Sequence, residues 1–132
     1  MNKIQGAFSI QLKPQAASSG LENANIGRQI FDKQFRGDLE ATSQGEMLSC
    51  MGHVQGSAGY VAIERVTGTL QGKQGSFALM HMGTMTRGEK GLKIHVIPDS
   101  GTEELQGLQG NMDIQILDGQ HLYEFEFHFV AN

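Results

Sequence analysis

Apolar residues recur at every second position along much of this chain. Ile4, Phe8, Ile10 and Leu12 fall on one face with Gly6, while Gln5, Ser9, Gln11 and Lys13 fall on the other until Pro14 ends the run. The period resumes after Arg28. Phe31, Phe35 and Leu39 share a face, Gln34 and Arg36 lie opposite, and Gly37-Asp38 predicts a bulge that bends the strand. Residues 40–51 continue as strand of mixed polarity, with Thr42, Gln44 and Glu46 facing one way and Gly45, Met47 and Ser49 the other. Residues 53–59 read as a turn. Strands are predicted over 60–70, 75–85, 92–97, 111–117 and 121–130, with turns at 71–74, 87–91 and Pro98-Asp99 and a hairpin signal at Asp118-Gly119.

No segment carries a sustained helical period. The stretch from Leu70 to Phe77 (Leu-Gln-Gly-Lys-Gln-Gly-Ser-Phe) returns from Leu105 to Met112 (Leu-Gln-Gly-Leu-Gln-Gly-Asn-Met), which predicts one hairpin unit used twice. The strands are long, and some are apolar on both faces, as where Ala78, Met80 and Met82 oppose Phe77 and Leu79. The expectation is all-β: an antiparallel eight-stranded meander of long hairpins closed into a single barrel, with a β-sandwich as the alternative. One domain spans residues 1–132, interrupted by an irregular, flexible loop at 15–27.

Composition sharpens this picture in a few places. A chain of 132 residues can bury a sizeable core, and its 18 glycines against 2 prolines suit the turns and bulges of a β protein. Net charge is −4 and the 10 basic residues are scattered, so a clustered nucleic-acid-binding face is not expected. Cys50, the single cysteine, predicts a small buried residue rather than a nucleophile. Neither an apolar signal region near residue 1 nor a membrane-length apolar run is present, which predicts a cytoplasmic protein with no membrane partner.

Standard catalytic motifs are missing, and Gly72-Lys73-Gln74-Gly75 joins two strands without a helix, so it reads as a turn rather than a phosphate loop. The informative feature is polar residues in phase with apolar ones. His121 and Tyr123 alternate with Phe125, Phe127 and Phe129; His81 is in phase with Phe77 and Leu79; Glu64 is in phase with Tyr60, Ala62 and Val66. In a closed barrel, Tyr60, Glu64, His81, His121 and Tyr123 would project into one interior, and a carboxylate, imidazole and phenol set suits acid–base chemistry or a ligand's polar head. Each also has a structural reading as a hydrogen-bonded core residue, and a buried Glu64 requires a partner. The histidines show no metal-binding spacing, and no metal or other cofactor is expected.

Gly59-Tyr60-Val61-Ala62-Ile63-Glu64-Arg65, residues 68–77, His81-Met82-Gly83-Thr84-Met85, Ser100-Gly101-Thr102, Glu104-Leu105, Gly107-Leu108-Gln109-Gly110 and His121-Leu122-Tyr123 together resemble the DUF3224 family, small bacterial proteins of unknown function. The resemblance covers most of the chain from Phe31 onward. Glu103 departs from it, standing where a Ser-Gly-Thr-Gly-type run would carry glycine. The resemblance implies an eight-stranded antiparallel barrel similar to that of allene oxide cyclase, and it implies no activity, because a shared barrel does not transfer one. Three functional expectations stand, in this order: a barrel binding a small apolar or amphipathic molecule; a cofactor-independent isomerase, cyclase or lyase using the interior set; and a structural homo-oligomeric module. A homo-oligomer is expected with any of them, because apolar residues on both faces of a strand call for a second covering layer.

Overall fold

The two-residue period resolves into eight antiparallel strands in a computed structural model that describes residues 2–131. They are β1 (Asn2–Gln15), β2 (Gly27–Gly37), β3 (Leu39–Met51), β4 (Ala58–Leu70), β5 (Lys73–Thr86), β6 (Glu89–Val96), β7 (Leu108–Leu117) and β8 (Gln120–Phe129), with one short 3-10 turn at Glu103–Leu105. Each strand pairs with its sequence neighbour and β1 pairs with β8, so the meander closes into a barrel. The expected barrel is the observed one. Closure is completed by the Asn2↔Phe127 to Phe8↔His121 register.

The seams are unequal. β4 and β5 pair along their whole length, from Ala58↔Met85 to Leu70↔Lys73, whereas β6 and β7 meet only at Ile94↔Met112 and His95↔Asn111. Above that point β6 and the β7–β8 hairpin diverge.

One end of the barrel is shut. Leu39 pairs with Leu70 beside the β2–β3 and β4–β5 turns, and Leu105 from the 3-10 turn packs with Phe77, Leu108 and Phe127 in the same buried cluster. Sealing this end with large apolar side chains supplies most of the core, since each buried large hydrophobe contributes about 1.5–3 kcal/mol. The other end carries the 16–26 connection, the 52–57 loop and the tight turns at 87–88 and 118–119, and it is the mouth.

Several sequence expectations are revised. Gly37-Asp38 is no bulge but the turn that reverses β2 into β3, with Gly37 at φ 113°, a conformation open to glycine. The repeated octapeptide is a hairpin only in its first copy. In the second, Leu105 ends the 3-10 turn and the rest enters β7. What the copies share is packing: Leu70 and Leu105 both plug the closed end, and Phe77 and Met112 both point inward. Cys50 is exposed on the outer side of β3, because its parity is that of Leu48 and Glu46 rather than of Met47 and Ser49.

Candidate functional site at the barrel mouth

Alternation along four consecutive strands brings four polar side chains to one buried layer inside the barrel: Lys33 on β2, Ser43 on β3, Glu64 on β4 and His81 on β5. Glu64 is fully buried and stands at the centre. Its Oε2 accepts from Lys33 Nζ at 2.8 Å and lies 2.5 Å from His81 Nε2, while its Oε1 accepts from Ser43 Oγ at 2.7 Å. Burial alone would push the Glu64 carboxyl upward, but the His81 hydrogen bond and the Lys33 charge outweigh it and hold the group at about 2. Glu64 is therefore an acceptor only, so the ring nitrogen facing it, His81 Nε2, carries a hydrogen.

Lys33 is enclosed by aromatic rings. Its Nζ lies 4.9 Å from the centroid of Phe8, 5.3 Å from that of Phe31 and 5.6 Å from that of Phe35. Ring faces and a carboxylate together replace the water that the ammonium gave up on burial.

Tyr60 lies one layer nearer the mouth, its ring centroid 6.4 Å from that of His81. The ring rests on Gly83 of β5, where a Cβ would come within 2.1 Å of Tyr60 Cε1, so any larger residue there would displace it. Burial, then the Glu64 charge, push the Tyr60 phenol up from its ordinary value, and it stays a neutral hydrogen-bond donor at neutral pH. Among the described residues no side chain or backbone group pairs with its hydroxyl. Above the ring opens a cavity of about 300 Å³ lined by Met47, Ser49, Ala58, Met85 and Leu92, with Lys90 at its edge. Its walls are apolar apart from Ser49, Thr84, Lys90 and the phenol. Tyr60 thus separates an apolar chamber from a buried carboxylate–imidazole pair.

The five residues singled out from the sequence do not form one group. Tyr60, Glu64 and His81 come together; Tyr123 and His121 stand elsewhere. Tyr123 lies on the far wall over Gly6, where its hydroxyl donates to Arg36 O at 2.9 Å and accepts from Leu39 N–H at 3.2 Å. It ties the β2–β3 turn to β8, and burial pushes its phenol up while the Leu39 N–H opposes that. His121 packs its ring 5.1 Å from Phe8 at the start of β8, half-buried and without a hydrogen bond to the Glu64 group. Lys33 and Ser43 escaped the sequence reading. Lys33 could have been found: it sits midway between Phe31 and Phe35, in phase with both. Ser43 had no comparable signal.

Among the described residues no cluster of three His, Cys, Asp or Glu side chains is placed to hold a metal ion, and no helix is long and apolar enough to cross a membrane.

Comparison with known proteins agrees with this architecture. The model of the family described as "Protein of unknown function (DUF3224)" matches residues 4–127. The crystal structure of a protein of unknown function from that family, from Shewanella oneidensis MR-1, superposes with a TM-score of 0.93 at 51% sequence identity, covering 100% of this chain and 99% of the other. No curated protein matches the chain.

Proposed function

The chain belongs to the DUF3224 family, whose function is unknown, and we propose from the site's geometry that it is a binding barrel for a small, mostly apolar molecule bearing one hydroxyl or carbonyl group. The observation that supports this reading is the mouth chamber. It is apolar, connected to solvent, and floored by a phenol that has no hydrogen-bond partner among the described residues. A ligand would place its apolar body against Met47, Met85 and Leu92 and its polar group on the Tyr60 hydroxyl, since ligand sites combine apolar walls with a few convergent polar groups. The closed ion group below holds the floor rigid: Lys33, Ser43 and His81 all converge on Glu64 and order the wall beneath Tyr60. A cytoplasmic setting fits the exposed free thiol of Cys50, which an oxidising compartment would leave open to disulfide exchange.

Calorimetric titration with 2-naphthol, an apolar bicycle with a single hydroxyl, tests the reading. Binding should weaken about tenfold in Tyr60→Phe, the loss of one hydrogen bond in a desolvated site, and vanish in Ala58→Phe, which fills the chamber. No binding by the wild type, or equal binding by all three proteins, would overturn it.

One observation favours a second reading, proton-transfer catalysis. An ionised Glu64 accepting from His81 Nε2–H would leave Nδ1 of a neutral ring as the base, the arrangement of a carboxylate–imidazole pair. Deuterium incorporation from solvent into 2-tetralone, followed by NMR, should then exceed the buffer rate and fall to it in His81→Gln. A wild-type rate equal to buffer would exclude this chemistry for α-protons of apolar ketones.

A further inference from the structure

The barrel wall is incomplete beside the mouth chamber. Every residue that lines the chamber comes from β3, β4, β5 or β6, and neither β7 nor β8 contributes one. The open side is the seam where β6 and β7 part. At its foot the Ile94↔Met112 and His95↔Asn111 pairs hold the strands together, and a hydrogen bond links the His95 and Asn111 side chains. Above that foot, residues 89–93 pair only with β5 and residues 113–117 only with β8. Each strand thus leaves a bare backbone edge towards the other.

The two edges match. Continued upward, the register of the foot sets Lys93 opposite Asp113 on the outer face and Leu92 opposite Ile114 on the inner face. Leu92 and Ile114 are each half-buried against the core, and Ile116, whose parity turns it inward, is 60% exposed. Neither Lys93 nor Asp113 makes an ion pair among the described residues. Asp113 does face a like charge, Glu124, across the β7–β8 ladder. Lys3 bonds Glu124 at 3.0 Å, and of the three carboxylates around it Asp113 acts on it least. A cation arriving from β6 would relieve that juxtaposition.

One side of the seam is fixed. Gly88 N–H donates to Gly56 O at 2.9 Å and Arg87 N–H to Ser57 Oγ at 3.0 Å, which anchors the β5–β6 turn to the 52–57 loop. Among the described residues no hydrogen bond from another element holds the Asp118-Gly119 turn, and a Cβ added to Gly119 would meet nothing within 4 Å. The β7–β8 hairpin is therefore the side free to move. We propose that the upper β6–β7 seam is a gate: the hairpin swings onto β6 in the register of its foot, and Ile114 and Ile116 become the missing wall of the chamber. Its purpose rests on the chamber's being a binding site, which the open seam would fill and the closed seam cover. Its motion can be read without any ligand.

Disulfide trapping tests it, in a Cys50→Ser, Tyr123→Phe background whose emission comes from Tyr60 alone. Lys93→Cys with Asp113→Cys sets two thiols opposite each other in the closed seam, whereas Lys93→Cys with Leu117→Cys sets them out of register. Under mild oxidation the first pair should crosslink at least about tenfold faster, since a disulfide needs its two backbones within reach. The crosslink should also lower the quenching of Tyr60 by iodide several-fold, because Ile114 and Ile116 then cover the chamber above that ring. Should the cysteine variants fail to fold, hydrogen exchange reads the same seam. Asp113→Lys sets like charges across it and should speed exchange of amides 89–93 several-fold over wild type. Equal crosslinking of the two pairs, a crosslink that leaves Tyr60 as open to iodide as before, or unchanged exchange in Asp113→Lys would overturn the gate. A gate that passes in a protein that binds no 2-naphthol would stand, and the binding reading alone would fall.

Discussion

The buried carboxylate makes a quantitative claim about acid stability. Its Lys33 and His81 partners hold the Glu64 carboxyl at about 2 in the fold, against 4.5 for an unperturbed glutamate. A group whose folded value is depressed adds stability that is fully present above its unfolded value and is lost as pH falls towards its folded value. The window is therefore from about pH 4.5 down to about pH 2. At roughly 1.4 kcal/mol for each pH unit, the gap corresponds to about 3 kcal/mol of folding free energy that disappears across it. Glu64→Gln removes the titration and also strands the Lys33 ammonium among Phe8, Phe31 and Phe35, so at neutral pH it should cost about 3–5 kcal/mol. The assay is urea denaturation of wild type and Glu64→Gln at pH 7, 4.5, 3.5 and 2.5. Other carboxylates titrate in both proteins, so the quantity to read is the difference between the two curves. That difference should hold steady from pH 7 to about 4.5 and then shrink by about 1.4 kcal/mol per pH unit. Adding Lys33→Met to Glu64→Gln should recover part of the neutral-pH loss by removing the stranded charge. A difference that stays constant down to pH 2.5 would refute the reasoning, because Glu64 would then titrate alike in the folded and unfolded chains.

Other predictions follow from single contacts. Glu103 sits at φ 52°, a left-handed conformation that favours glycine, so Glu103→Gly should stabilise the fold by about 1 kcal/mol and raise Tm by a few degrees in calorimetry. Tyr123→Phe leaves the Leu39 N–H without its phenol partner and should cost about 1–3 kcal/mol in chemical denaturation. The chain has no tryptophan and 2 tyrosines, so in a Tyr123→Phe background the intrinsic emission comes from Tyr60 alone. Adding Gly83→Ala should shift that emission and its quenching by iodide, because the new methyl would occupy the space of the Tyr60 ring.

The fold was legible because one rule, alternation, governs nearly every strand. Strand number and order could be read without knowing any contact. Where a short segment depends on distant packing, the reading failed. Gly37-Asp38 reverses the chain because Leu39 must turn back to meet Leu70, and nothing local separates that from a bulge. Leu105 enters a 3-10 turn, unlike its counterpart Leu70, because it plugs the closed end from a long connection. For the site, phase alone placed Tyr60, Glu64 and His81 together. Phase fixes which face a side chain takes but not its height along the barrel or its wall, so Tyr123 and His121 share the parity without sharing the place. Cys50 was misjudged from residue type, although its parity with Leu48 pointed outward.

The pairing of β1 with β8 has a consequence for how the protein is made. The ring of backbone hydrogen bonds joins Asn2 to Phe127, so synthesis must deliver nearly the whole barrel before its first strand finds both neighbours. Until then the nascent chain is an open, curling sheet, with the free edge of β1 bare and the Lys33–Glu64–His81 group on a wetted face. Contacts so far apart in sequence make for slow folding and a period of vulnerability to aggregation. Until β8 emerges, the sheet has its charged centre in place but no way to enclose it. Release of the last strand is thus the event that turns a water-exposed ion group into a dry one.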